Sequence, residues 1–287
     1  MKAAWIALAL CGAAHAQDMG KLTATGGVSQ AEGAGGGGLV PWALITGYGT
    51  RDSWGANAHA TLVRTQDYAL DTAGVAVGVA DRFEVSLARQ EFRGSLAPLD
   101  RLRIRQDIAA VKLRVAGDAV YGQDEALPQI AVGAMVKRNR GIDGLGALGV
   151  GKVTQLGAHS GNGVDYYVAA TRIDLSRSLL WNATLRATRA NQLGILGFGG
   201  ERGGSYRAQL ELSGAYLVNR RLVAGAEYRM KPANLAVDPE QDAWDVFVAW
   251  FPSKRWSLTA AYVSLGRITV FNPARQHGLY LSAQAGF

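Results

Sequence analysis

Leu279-Tyr280-Leu281-Ser282-Ala283-Gln284-Ala285-Gly286-Phe287 alternates apolar residues at odd positions with mostly polar or small ones at even positions, and closes on an aromatic ring. Successive side chains of an extended strand point to opposite faces, so the pattern describes a strand whose two faces meet different surroundings. The same period of two runs backwards through the chain. Val75, Val77 and Val79 alternate with Gly74, Ala76 and Gly78. Ala109, Val111, Leu113 and Val115 alternate with Ile108, Lys112 and Arg114, and Leu179, Trp181, Ala183 and Leu185 with Asn182, Thr184 and Arg186. Segments of about 10 to 14 residues are separated by turn-forming clusters, with no sustained helical spacing. An all-β fold is expected.

The positions of the aromatic residues separate a soluble sandwich from a membrane barrel. A sandwich buries its rings in the core. Here Trp181, Tyr216, Trp250, Trp256 and Phe287 share the apolar parity of their strands and fall near one end, while Tyr206, Trp244 and Tyr262 fall near the other. Two aromatic belts around an aliphatic band suit a lipid-facing barrel, because amphipathic rings favour the headgroup level. Connection lengths point the same way. Counting back from Phe287, long connections around 266–277, 231–242, 191–205 and 139–163 alternate with short ones around 252–255, 219–221, 174–177 and 80–82. Outer-membrane barrels have long outer loops and short periplasmic turns. Residues 55–287 are therefore expected to form a transmembrane antiparallel up-and-down β-barrel of about 12 strands.

Residues 17–54 have two possible placements: a first hairpin in the wall, making roughly 14 strands, or a plug in the lumen. The Gly- and Ala-rich run Ala31 to Gly38 is weak material for a lipid-facing strand, and the inward Gly74, Ala76 and Gly78 leave room for a close backbone. The plug is favoured, with Gly36, Gly37, Gly38, Pro41 and Trp42 as its candidate residues.

Residues 1–16 read as a secretory signal peptide: Lys2, an apolar run from Ala3 to Ala13, and the small-x-small site Ala14-His15-Ala16 before Gln17. The run is too short to span a bilayer. Leu10 before Cys11 argues against lipidation there, and cleavage would remove the sole cysteine, leaving no disulfide framework. The formal charge of +7 is scattered and gives no nucleic-acid footprint.

Motifs for chemistry are weak. Gly33-x-Gly35-x-x-Gly38 and Gly144-x-Gly146-x-x-Gly149 match a dinucleotide fingerprint, and Gly146 to Lys152 resembles part of a phosphate loop, but the required strand before and helix after are missing. Val153 stands where a magnesium-holding hydroxyl belongs. His59, His159 and His277 have no metal-set spacing. His159 and Ser160, as adjacent extended residues, point apart, unlike a lipase pair. Asp238 and Glu240 with His277 at the outer rim read as solvated loop charges rather than a protease site. No catalytic residue, metal or cofactor is expected.

The inward parity is more informative. Lumen-lining candidates are Glu84, Asp107, Lys112, Arg114, Lys137, Arg186, Arg207, Gln209, Glu211, Glu227, Arg229 and Asp245. If 219–221 is a three-residue turn, Glu211 faces Arg229 and Ser213 faces Glu227. Such charges either fill a narrow interior in pairs or line an aqueous path.

A chain ending on an alternating strand with a terminal aromatic resembles the C-terminal assembly signal of bacterial outer-membrane β-barrels. That likeness implies outer-membrane lipids and the barrel assembly machinery as partners, and the outer membrane as the location after Sec-type export. At Gly36-Gly37-Gly38-Leu39-Val40-Pro41-Trp42 and Tyr48-Gly49-Thr50-Arg51-Asp52 the chain is similar to an uncharacterised proteobacterial family of outer-membrane proteins, which carries over no substrate or catalytic residue. At the level of architecture it is similar to small channels and to hydrophobic-compound transporters with an N-terminal hatch. The expected function is a passive channel or transporter for small solutes or hydrophobic compounds. The alternative is a closed structural or adhesive surface barrel, and an outer-membrane lipase or protease comes third.

Overall fold

The computed structural model describes residues 19–97, 99–269, 272 and 274–287. The signal peptide, its cleavage before Gln17 and Cys11 lie outside the described residues. Two short strands, β1 (Val28–Ser29) and β2 (Gly35–Gly36), pair only with each other. The alternating segments become β3 (Trp54–Thr65), β4 (Tyr68–Val79), β5 (Phe83–Gly94), β6 (Arg103–Ala116), β7 (Gln129–Asp143) and β8 (Asn162–Asp174). They continue as β9 (Leu179–Thr188), β10 (Arg207–Asn219), β11 (Leu222–Arg229), β12 (Ala243–Ser253), β13 (Trp256–Arg267) and β14 (Arg275–Gly286).

Each of these twelve pairs antiparallel with its neighbours in sequence, and β14 pairs with β3, setting Leu281 against Leu62 and Ala283 against Ala60. The ring is closed, so no sheet edge is left to be satisfied. The roughly 14-strand alternative is excluded, since the wall closes from β14 directly onto β3 and residues 19–53 contribute no strand to it. Among the described residues no helix is long and apolar enough to cross a membrane; the crossing elements here are strands.

The parity read from the sequence sorts the side chains. Val85, Val111 and Leu185 are more than half exposed, whereas Lys112 and Arg186 are 2% and 1% exposed. The Glu211–Arg229 and Ser213–Glu227 pairings occur in the β10–β11 register. Trp181, Tyr216, Trp250 and Trp256 face outward toward one end, joined by Trp54 and Phe83, and Trp54 meets Phe287 edge-on at 4.9 Å. This end, which carries Phe287, is called inner. Toward the opposite, outer end Tyr166 lies against Tyr206 and Trp244 against Tyr262.

Two connections break the long-outer, short-inner rule. The outer β3–β4 turn is only Gln66 and Asp67, and the inner β6–β7 connection is long, spanning 117–128. The latter is pinned to the wall: Arg114 Nη2 bonds Asp118 at 2.8 Å, Ala119 N donates to Gln129 Oε1, and Ile173 N donates to Ala119 O.

Candidate functional site

Residues 22–50 carry one charge, Glu32, in a run otherwise of small, apolar and uncharged polar residues. Such a segment can enter a polar lumen only if the wall satisfies its backbone. The wall does so from nearly every side. Gly35 N and Thr46 N donate to the two oxygens of Glu84 on β5, each at 2.9 Å. Lys112 on β6 donates to the carbonyls of Gly35 and Leu44 and to Glu84. Leu39 N donates to Glu227 on β11, Ala43 N to Thr171 on β8, and Gln129 on β7 donates to Ala43 O. Thr184 on β9 donates to Pro41 O, the Trp42 indole N–H to Ser213 on β10, and Gln90 on β5 to Ala31 O. Close approach meets an added side chain at two points, at Gly37 the movable end of a carboxylate and at Gly78 the backbone itself, where only glycine fits. A Cβ on Gly37 would fall on the Glu227 carboxylate, and one on Gly78 of the wall would strike Thr46 O. Residues 24–49, every one of them buried, thus lie inside the barrel, with 20–23 at its inner mouth.

At the plug's tip a buried network forms. Glu32 pairs with Lys137 on β7 and with Arg229 on β11 at 2.6 Å, and lies 3.8 Å from Arg186 on β9. Lys137 also reaches Asp165 on β8 at 2.6 Å, and Glu211 on β10 binds Arg186 at 2.6 Å and Arg229 at 3.1 Å. Three cations face three anions, so the group is neutral only while Glu32 is seated. Burial pushes the Glu32 carboxyl up, but Arg229, Lys137 and Arg186 together outweigh it and hold the group well below the usual carboxylate range.

At the inner mouth, Lys21 bonds Asp81 at 2.7 Å, and Arg114 joins Asp81 to Asp118. The outer mouth is closed from above. The β9–β10 connection folds inward as a lid, burying Asn191, Ile195, Leu196 and Phe198, with Leu235 from the β11–β12 loop beneath it. Gln192 is the latch. Its backbone N–H donates to Glu240 and its amide to Asp238, while Lys231 donates to its side-chain oxygen. Gln192 and Leu193 both have positive φ, at 44° and 62°, a strained choice for non-glycine residues.

Between plug and lid lies a cavity of about 40 Å³ bounded by Leu39, Val63, Phe92, Leu193, Ile195 and Val263. One of about 20 Å³ lies below the plug hairpin against Val28, Trp42, Leu180, Val223, Phe247 and Phe251. Neither forms a through-going path.

Of the sequence candidates, Glu84, Lys112, Lys137, Arg186, Gln209, Glu211, Glu227, Arg229 and Asp245 are buried on the inner face, and Arg114 stands at the inner mouth. Asp245 sits opposite Glu227, and neither of its oxygens has a hydrogen-bond partner. Two candidates fall elsewhere. Arg207 has the inward parity, but it sits at the outer rim, exposed, with its guanidinium on Arg202 O. Asp107 shares the outward parity of Ala109 and binds Arg89 and Arg140 on the outer surface.

Asp238 and Glu240 are not solvated loop charges: both are buried against Gln192 under the lid. His277 turns outward, stacked on Tyr262 at 6.1 Å, so no site unites it with them. His159 N and Ser160 N both donate to Phe198 O beside the lid. The Gly33–Gly38 run sits in the plug, where Lys112 takes the Gly35 carbonyl and Glu227 the Leu39 amide, and Gly146–Leu148 is a single turn of 3₁₀-helix. Among the described residues no three His, Cys, Asp or Glu side chains are placed to hold a metal ion.

Glu32, Asp165 and Gln192 were not singled out from the sequence. The first had a signal, as the lone charge in an uncharged Gly-rich run. Asp165 also had one, by its parity with Tyr167, Ala169 and Thr171. Nothing local marks Gln192.

The fold is similar to the KdgM porin, with a TM-score of 0.50 at 10% identity over 80% of this chain and 99% of that one. It is also similar to the COG4313 outer membrane channel from Pseudomonas putida F1 (0.46, 13%, 82% and 96%). Outer membrane phospholipase A from Escherichia coli is a further likeness (0.43, 9%, 80% and 92%). At such identities the likeness is one of fold alone. No curated protein matches the sequence. Residues 25–284 match the family described as "Protein of unknown function (DUF3034)", and the chain belongs to that family.

Proposed function

We propose that this protein is a passive channel or transporter of the bacterial outer membrane for small solutes, in which residues 20–50 are a displaceable plug. The observation that carries this reading is how the plug is held. It meets the wall through side-chain hydrogen bonds and ion pairs that water can replace one for one, rather than through strand ladders. Among the described residues its one backbone-to-backbone bond to the barrel is Tyr48 N to Phe287 O, the carbonyl that also accepts from Ala56 N of β3. A barrel with no passage to guard can fill itself with side chains at about eight strands. Twelve strands enclose a wider lumen, and here a separate segment occupies it. The outward aliphatic band between two aromatic belts supports the membrane setting.

The closed mouths at both ends favour a second reading, a sealed structural or adhesive barrel acting through its outer loops. Planar-bilayer recording separates the two. Stepwise conductance that grows when residues 20–50 are deleted is the expected result. Silence of both the full chain and the deletion would rule out a channel. Turnover of phospholipid or peptide by the purified barrel would replace both readings with an enzyme.

A further inference from the structure

Among the described residues the lid and the plug exchange no direct hydrogen bond, yet Lys137 of the wall holds both, and Gln106 holds the lid while reaching the plug through Gln90. Lys137 Nζ donates to Glu32 of the plug, to Asp165 of the wall at 2.6 Å, and to the carbonyl of Leu193 in the lid at 3.0 Å. Gln106 on β6 donates to that same Leu193 carbonyl and to Gln90 at 3.0 Å, and Gln90 donates to Ala31 O of the plug at 2.8 Å. One lid carbonyl is thus tied by two routes to one plug turn, Ala31-Glu32. The residue presenting it is strained. Leu193 has φ of 62° beside Gln192 at 44°, a conformation kept only while its surroundings over-determine it.

From this junction we infer that plug and lid form one coupled gate, in which releasing the plug at the inner side unlatches the lid at the outer side through Lys137 and Gln106. The inference rests on the channel reading and adds its regulation.

The physical steps follow from charge and satisfaction. When Glu32 leaves, Lys137, Arg186 and Arg229 face only Asp165 and Glu211, an uncompensated positive charge in a buried site. Water must enter to solvate it, and Lys137, the most flexible of the three cations, is the one free to turn into that water. Leu193 O then loses its charged donor. With Ala31 gone, Gln90 loses its acceptor and the Gln90–Gln106 relay loosens. The left-handed pair Gln192-Leu193 keeps its outer ties, to Asp238, Glu240, Lys231 and the Arg267 carbonyl. The coupling is reciprocal: a lid pulled open leaves Lys137 wet and weakens its hold on Glu32 by the same factor.

The chain has a single cysteine, Cys11, ahead of the described residues, so a reporter thiol can be placed cleanly. Ile195→Cys puts it under the lid, where Ile195 is buried. Its labelling by a membrane-impermeant maleimide on intact cells reads lid opening. Deletion of residues 20–50 should raise the labelling rate about ten-fold, within the usual 5- to 150-fold range of site-to-site coupling. Gly78→Ala, whose methyl would strike the backbone carbonyl of Thr46 in the plug without touching the lid, should act in the same direction. In reverse, Glu240→Ala, which touches only the lid latch, should speed trypsin cleavage after Lys21 of the plug. Gln106→Met should reduce both effects while leaving all charges in place. A parental labelling rate in the deletion, with the barrel still folded by its heat-modifiable band, overturns the coupling even if conductance rises. Raised labelling without conductance upholds the coupling and refutes the channel reading.

Discussion

Glu32→Gln changes one charge and almost no volume, and the structure fixes what it should cost. The Glu32 carboxylate lies 2.6 Å from Arg229 Nη1, is bonded by Lys137, and lies 3.8 Å from Arg186, all within a group at most 4% exposed. At an effective dielectric near 20, two unit charges about 4 Å apart interact by roughly 4 kcal/mol. The amide keeps the shape and some hydrogen bonding but leaves three cations against two anions. Removing one partner of a buried pair costs about 3 to 5 kcal/mol, and this falls on plug docking because Glu32 is the plug's only charge in the network. At about 1.4 kcal/mol per decade, the seated plug loses roughly 10²- to 10⁴-fold in its equilibrium constant. The assay is trypsin cleavage of the Lys21–Leu22 bond across a urea series in detergent, with the barrel checked by gel mobility. The double variant Glu32→Gln/Lys137→Met restores two cations against two anions and should recover part of the loss. If the single variant resists trypsin as well as the parent, or the double variant is worse than the sum of the singles, the network does not hold the plug.

Gly78→Ala should raise single-channel conductance toward that of the plug deletion, since the added methyl and the backbone carbonyl of Thr46 cannot occupy one place; an unchanged trace counts against it. Burial pushes the Glu240 carboxyl up to about 8, with Lys231 pulling it down and Asp238 pushing further, so the shut lid binds a proton more tightly than the open one. Lid closure is then strongest below the ordinary carboxylate pKa and weakens as pH rises through about 8. Labelling of Ile195→Cys should therefore accelerate between about pH 5 and 9, and Glu240→Gln should flatten the profile. Val111→Arg and Val248→Arg, in the exposed lipid-facing band, should each cost about 2 to 4 kcal/mol near the midplane, as read by folding into vesicles. From sequence alone the neighbouring inward positions should tolerate Arg, but Ala110, Phe247 and Ala249 are buried. Arg there must overpack the interior and should cost about 1 to 3 kcal/mol.

The wall was legible because a strand between lipid and lumen imposes a period of two on every residue it contains. Leu185 and Arg186 cannot exchange faces without reversing the register of all of β9. The pairing of Glu211 with Arg229 followed from parity and one turn length. Parity says which way a residue points and not how far along the barrel axis it lies, so Arg207 was misplaced by height. Asp107 was misplaced against the parity of its own strand. The plug was legible only as a negative, a stretch too poor in side chains to stand in lipid. What seats it is distributed over at least eight strands, and each contribution, such as Thr171 for Ala43 N or Thr184 for Pro41 O, looks in sequence like an ordinary inward polar residue.

The strained turn of the lid was invisible for a related reason, although the long Gly-rich outer loops were legible as parts that could gate a pore. Gln192-Leu193 carries no glycine where the backbone turns left-handed, so the usual mark of such a conformation is missing. Its strain is held by Lys137, Gln106, Lys231, Asp238 and Glu240, which come from three separate segments of the chain. A conformation maintained from so many directions, in a residue that would relax if released, is costly in a permanent wall and useful in a part that moves. Conversely, a seal meant never to open has no need of a network whose neutrality depends on a single residue of the sealing segment. Glu32 is that residue, and its position at the meeting point of plug, wall and lid makes the filled barrel easier to understand as a shut passage than as a solid post.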